Sequence, residues 1–286
     1  MAQNFTMPTA RLGYLPVPGA DLYYEVQGSG PLVLFISGAN GNADVWRMMA
    51  AILAQNYTVA LYDRRGYSRS HLSSTQPQDY AHKLDTDADD AALLVEHLSP
   101  GTPATVMGTS SGAIVALQLL QRHPDCLRTL IAHEPPAIKV LPDSAALEAA
   151  QRAVYTTYRA GGIPPALLQF AAVNNMHPIM VAGLISSMDA KIAPDVAGNS
   201  LLWFERELLP YPLADLDIDA IAKQKAKLVL LIGEGSPAEA LYVRANRVIS
   251  ERVGVEVQMV PGEHVDYAVN PMGFATRLMG VLARRG

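Results

Sequence analysis

The sequence predicts an α/β fold, a mostly parallel sheet flanked by helices and interrupted by a helical insertion. Three observations carry this. The continuous apolar run at 32–36 reads as a strand buried on both faces, 58–62 as the next buried strand, and 104–107, 127–132 and 227–232 as further strands. Segments with helical spacing separate most of them, the alternation that builds parallel sheets covered on both sides. Between residues 137 and 225 the alternation stops, and helical patterns follow one another without a convincing strand.

Taken in order, residues 11–17 and 21–27 read as two short strands joined by a Pro18-Gly19 turn. Gly28-Ser29-Gly30-Pro31 turns the chain into the buried run 32–36. Residues 44–54 space Val45, Met48, Met49, Ile52 and Leu53 as a helix does. The strand at 58–62 ends in Asp63-Arg64-Arg65-Gly66. A helix at 85–98 opens on Asp85, Asp87, Asp89 and Asp90. That acidic run suits the positive end of a helix dipole and is expected to face water, not a metal. A strand at 104–107 and an apolar helix at 112–122 come next, the helix stopping near Pro124, and then a strand at 127–132. Helical patterns at 145–158, 165–173, 178–188 and 196–208 fill the insertion. Strands at 227–232 and 255–260 and a helix at 274–283 close the chain. The expected organisation is a core of residues 1–136 and 226–286 with a helical cap at 137–225. No internal repeat or low-complexity segment occurs.

Composition narrows the function. Half of the 286 residues are apolar and 17% are charged, which suits a packed globular chain. The net charge of −5 disfavours nucleic acid as a partner, since phosphate binding needs clustered Lys and Arg. A single cysteine, Cys126, excludes an internal disulfide and reads as a small apolar residue. No run of 18 apolar residues could span a membrane, and residues 1–8 lack the basic-then-apolar pattern of a leader. A cytoplasmic location is the expectation. None of the seven histidines has metal-ligand spacing, so no metal is expected, and no cofactor is expected either. The expected partner is a small-molecule substrate. Oligomeric state stays open, with a homodimer among the options.

Gly108-Thr109-Ser110-Ser111-Gly112 matches G-x-S-x-G, with a buried strand running in and an apolar helix running out. That context marks a nucleophile elbow, a turn so tight that glycines must flank the serine. Ser110 is the candidate nucleophile. A serine hydroxyl needs a base, and His264 in Pro261-Gly262-Glu263-His264 follows the last strand, at the sheet edge where such sites lie. His133 is nearer in sequence but is not chosen. Two carboxylates compete as orienting acid, Glu134 in His133-Glu134-Pro135-Pro136 and Glu234 in Gly233-Glu234-Gly235. Glu134 is favoured, because the prolines would stiffen its loop. The oxyanion donors are expected from the amide of Ser111 and from Gly38 or Ala39 in Ser37-Gly38-Ala39-Asn40-Gly41, a loop with no Arg or Lys beside it in sequence.

These residues, together with Tyr62-Asp63-Arg64-Arg65-Gly66-Tyr67-Ser68-Arg69-Ser70, resemble the α/β-hydrolase superfamily over nearly the whole chain. Within it, the run from Gly108 to Pro136 resembles the fungal zearalenone lactone hydrolases, which carry a G-x-S-S-G elbow and an H-E-x-P motif. The resemblance implies Ser110 as nucleophile, His264 as base, Glu134 as acid, and Gly38 and Ser111 as oxyanion donors. It also implies a cap tryptophan touching substrate, for which Trp203 is the candidate; the residues themselves add Met188, among the apolar residues of the cap, and Ala39, in the oxyanion loop, as substrate-binding candidates. Ser37 departs from the family, where His or Asp is frequent, and the cap matches poorly. The implied function is a serine hydrolase cleaving a bulky, largely apolar lactone or ester through an acyl-enzyme. The alternatives are C–C bond hydrolysis, a biosynthetic rearrangement or cyclisation, or a non-catalytic small-molecule receptor on the same fold.

Overall fold

The computed structural model describes residues 9–39 and 41–285. The N-terminal stretch on which the absence of a leader was read, and Asn40 of the loop after the first buried strand, lie outside them.

The chain opens with strands β1 (Arg11–Val17), β2 (Ala20–Gly28) and β3 (Leu32–Ile36). A 3₁₀ turn leads into helix α1 (Arg47–Leu53), followed by β4 (Thr58–Tyr62) and the two-residue β5 (His71–Leu72). Then come α2 (Lys83–Leu98), β6 (Ala104–Thr109), α3 (Ser111–Arg122) and β7 (Leu127–His133). Helices α4 (Ser144–Gly161), α5 (Ile163–Val173), α6 (Pro178–Ser187), α7 (Val196–Arg206) and α8 (Ile218–Lys223) follow. The chain ends with β8 (Leu228–Gly233), α9 (Leu241–Val253), β9 (Val257–Val260), α10 (Asp266–Val269) and α11 (Pro271–Ala283).

Among the described residues the strands form one sheet in the order β1-β2-β4-β3-β6-β7-β8-β9, with β5 paired to β2. β1, β2 and β4 pair antiparallel, and every pairing from β4 to β9 is parallel. The period-2 alternation of strands divides the side chains between two cores. Leu34, Ile36, Leu130, Ala132, Leu228 and Leu230 face α2, α3, α8 and α9. Val33, Phe35, Ile131, Val229 and Leu231 face α1 and α11 on the other side. Each of the Val, Leu, Ile and Phe side chains among them, wholly removed from water, contributes roughly 1.5–3 kcal/mol. Between β7 and β8 the described residues hold helices and no strand.

The structure corrects the sequence reading in several places. The acidic run of α2 does not face water as a whole: Asp87 and Asp90 are buried, while Asp85 and Asp89 are half-buried and pair with Arg122. Positions 87 and 90 lie three apart, on the face of α2 turned to Arg64 and Arg65, and Lys83, one turn before Asp87 on the same helix, pairs with it. Helix α9 is absent from the pattern analysis, although Leu241, Ala245, Ile249 and Val253 recur every fourth residue and all are buried. Its Arg244, Arg247, Glu251 and Arg252 dilute the apolar signal. The dipeptide strand β5 is too short to show a period.

Candidate active site

β6 ends at Thr109 and α3 begins at Ser111, so the whole reversal falls on Ser110. Its φ of 53° and ψ of −127° lie where few non-glycine residues are found, a strained conformation. The flanking glycines are required by contact. A Cβ on Gly108 would sit 2.2 Å from the Gly112 carbonyl oxygen, and one on Gly112 would sit 2.4 Å from that of Ile36. Ser110 itself remains half-buried at the carboxyl edge of the sheet.

The next strand, β7, ends one residue before a second strained position: Glu134 has φ 51°. The turn aims its carboxylate along the sheet edge, where it is wholly buried and doubly bonded. Oε2 lies 2.6 Å from Nδ1 of His264, and Oε1 accepts the Gly233 N–H at 2.9 Å. Burial opposes the charge, but His133 and the hydrogen bond from His264 outweigh it and hold this carboxyl at about 2. Glu134 is therefore ionised at neutral pH. The rival carboxylate, Glu234, is exposed. The glycine before it lets the loop carrying His264 approach, since a Cβ at Gly233 would lie 2.5 Å from the Gly262 carbonyl oxygen.

His264 follows β9 in a loop turned by Gly262, whose φ is 80° and where any Cβ would collide with Asp266. The imidazole is largely buried, and the Tyr242 ring lies over it at 4.1 Å between centroids. Tyr242 comes from α9, so sequence reasoning had no route to it. His133 is fully buried beneath the site. Its Nδ1 lies 3.0 Å from Thr109 Oγ1, and its ring faces His264 at 6.0 Å. Burial, the largest influence, pulls His133 down to about 4, so it is neutral.

The loop after β3 lies against Ser110: a Cβ on Gly38 would come within 2.9 Å of the Ser110 Cβ. Ser111 opens α3, so its N–H is one of the first four in a helix and has no partner within it. At Ser37 the hydroxyl accepts from Trp46 Nε1 at 3.0 Å, knitting the loop to the core. No Arg or Lys neighbours this loop in sequence, but Arg64 does in space. It is fully buried behind the loop and bonds the Ser37 and Gly38 carbonyls. Trp203 and Met188 are buried in one apolar cluster with Tyr67, Leu167 and Phe204, and Ala39 packs on its edge. Trp203 meets Phe170 edge-on at 5.3 Å.

A concavity of about 300 Å³ opens elsewhere, lined by residues including Pro18, Arg65, Gln78, Tyr80, Lys83 and Leu202; Ser110, Glu134 and His264 are not part of it. Among the described residues no cluster of three or more His, Cys, Asp or Glu is placed to hold a metal ion. No helix among them is long and apolar enough to cross a membrane. Cys126 is half-buried, and burial pushes its thiol up to about 11.

A parallel sheet with a strained serine between strand and helix, and a histidine–carboxylate pair on the same edge, defines a class of enzymes. The chain belongs to the α/β hydrolase fold family, whose model matches residues 31–177, and it is a hydrolase of that fold. It is 30% identical to the uncharacterized hydrolase YraK of Bacillus subtilis (strain 168), over 96% of this chain and 97% of the relative. It is 27% identical to a zearalenone hydrolase of Bionectria ochroleuca, over 90% and 92%. A thermophilic esterase from Thermogutta terrifontis shares the fold with a TM-score of 0.70 at 18% identity, covering 96% of this chain and 99% of that one.

Proposed function

We propose that the protein is a serine hydrolase that cleaves a bulky, largely apolar lactone or ester through an acyl-enzyme. The 2.6 Å bond from His264 to the buried, ionised Glu134 carries this reading, because it fixes one imidazole tautomer at the edge where Ser110 stands. With Nδ1–H donated to Glu134, Nε2 is left as an acceptor for the Ser110 proton. Ser110 Oγ attacks the carbonyl carbon, His264 takes the proton, and Glu134 stabilises the imidazolium. The amides of Ser111 and of Gly38 or Ala39 hold the oxyanion, each such donor contributing roughly 3 kcal/mol. His264 returns the proton to the leaving oxygen; water then attacks the acyl-enzyme by the same route and frees Ser110. The steps call on no cofactor.

A lactone or ester is favoured over an epoxide by the nucleophile. Serine opening an epoxide would form an ether that water does not cleave, whereas a serine ester is readily hydrolysed. Bulk and apolarity are supported by the cluster of Trp203, Met188, Tyr67 and Phe204 beside Ala39, and by the 27% identity to a relative named zearalenone hydrolase. The test is a serine-directed fluorophosphonate with a panel of lactones and esters scored by mass change. Labelling at Ser110, lost in Ser110→Ala, with an 18-unit mass gain on a lactone, supports the proposal. Labelling that persists in Ser110→Ala removes Ser110 as nucleophile.

A further inference from the structure

Arg64 lies just beyond the end of β4, wholly buried, and all five of its N–H donors have acceptors. Nε donates to the Ser37 carbonyl at 2.9 Å and Nη2 to the Gly38 carbonyl at 2.8 Å. The other donors reach Glu207 Oε1 at 2.7 Å, Glu207 Oε2 at 2.8 Å and Asp87 Oδ2 at 2.9 Å. Lys83 lies 2.9 Å from Asp87 and 3.0 Å from Glu207, so two cations face two anions and the buried group is neutral overall. Tyr211 adds its hydroxyl to Asp87 at 2.7 Å.

The two carbonyls bonded by Arg64 are consecutive. A trans peptide points its C=O and the following N–H in opposite directions. Fixing the Ser37 and Gly38 carbonyls on the guanidinium therefore turns the N–H groups of Gly38 and Ala39 away from it. Those are the amides that the proposed mechanism aims at the oxyanion. Glu207 closes the circuit from the insertion: its own N–H bonds the Trp203 carbonyl at 2.9 Å, one turn beyond the tryptophan of the apolar cluster.

We infer that Arg64 is a positioning residue for the oxyanion hole, held in register by Glu207, so that the helical insertion and the loop after β3 move as one. The inference rests on the proposed serine-hydrolase reading. A lysine in its place supplies one point charge and cannot bond both carbonyls in a fixed fork. The loop amides would then lose their aim, which weakens transition-state binding and leaves ground-state binding largely intact.

The experiment compares the wild type with Arg64→Lys, Glu207→Gln and Tyr211→Phe. Each is measured for kcat and KM on an aryl ester, for the Ki of a trifluoromethyl ketone that forms the tetrahedral adduct, and for Tm. Arg64→Lys is expected to lose roughly 10- to 100-fold in kcat and to weaken the ketone by a similar factor, with KM within about threefold. Glu207→Gln is expected to show a smaller loss of the same pattern. Tyr211→Phe, which removes a bond of the same buried group without touching Arg64, is expected to lower Tm and to leave kcat unchanged. A folded Arg64→Lys whose kcat and ketone affinity stay within about twofold of wild type overturns the inference. Should Arg64→Lys fail to fold, Glu207→Gln is judged by the same criterion. A kcat loss in Tyr211→Phe equal to that of the other variants also overturns it, since the effect would then follow stability alone. Fluorophosphonate labelling of the wild type keeps the two readings apart. An unlabelled wild type defeats the hydrolase reading and this inference with it, whereas a labelled wild type with unimpaired variants defeats this inference alone.

Discussion

Glu134 occupies a left-handed backbone position directly before Pro135, where the following ring already restricts the residue. Such a conformation persists only when its surroundings hold it, and here the Gly233 amide and the His264 ring bond both carboxylate oxygens. Glu134→Gln, which presents an amide where the imidazole needs an acceptor, is expected to cost around 10⁴ in kcat. Glu234→Gln, altering an exposed side chain, is expected to stay near wild type; steady-state rates on one aryl ester compare the two, and a crippled Glu234→Gln would refute the assignment of the acid. His133 makes a separate prediction. Unfolded, it binds a proton below about 6.5; folded, it does so only below about 4. Between those values the unfolded chain holds more protons, so stability falls as pH drops from 6.5 to 4, by up to about 1.4 kcal/mol per pH unit. Urea melts at pH 7, 5.5 and 4.5 should show a shallower fall in His133→Asn than in the wild type, and parallel curves would refute the account.

At the scale of elements, the crossing of β6 and α3 depends on two glycines. Gly112 faces the carbonyls of Ile36 and Ser37, so an added Cβ meets backbone that cannot yield without parting α3 from β3. Gly112→Ala is therefore expected to lower Tm or abolish soluble expression, whereas Gly101→Ala, with open space around it and φ 65°, is expected to cost only backbone strain. A Gly112→Ala protein with wild-type Tm and activity would show that the elbow can relax. The strands were legible because both faces of the parallel sheet are buried, which leaves unbroken apolar runs at β3 and β8 and apolar-rich ones at β4, β6 and β7. Helix α2 was legible as a helix but not in its burial. An Asp reads as solvent-facing until the Arg64 and Arg65 that neutralise it from beyond the end of β4, with Lys83 on the same helix, are seen.

Across the whole molecule, the insertion is tied to the sheet by polar bonds as well as apolar contact. Glu207 reaches Arg64, Asn199 Oδ1 accepts from the Ser68 N–H at 2.8 Å, and Gln151 donates to the Leu208 carbonyl at 2.9 Å inside the insertion. The apolar cluster of Trp203, Met188 and Phe204 packs on Tyr67 and Ala39, which belong to the core loops. If substrate enters between them, kcat/KM should rise with apolar size, at about 25 cal/mol for each Å² buried. Trp203→Ala should then lower kcat/KM more for a bulky macrocyclic lactone than for a small aryl ester. Both substrates on both proteins decide it: equal losses would make Trp203 packing alone, and a preference for the smaller ester in wild type would refute the reading of the pocket.

Local pattern was enough to determine the parallel-sheet architecture, the strand–turn–helix around Ser110 and the helical character of residues 137–225. Those features follow from apolar periodicity and from glycines at tight turns, which act over a few residues. It also brought forward His264 and favoured Glu134, whose 2.6 Å meeting spans 130 positions of chain. What only the tertiary structure decided is everything set by partners distant in sequence. Tyr242 lies over His264 from α9, Gly233 satisfies Glu134 from β8, and Arg64 meets Glu207 across 143 positions. A charge carries no mark in the sequence of whether it will be hydrated or buried, because the answer depends on which opposite charge the fold delivers to it.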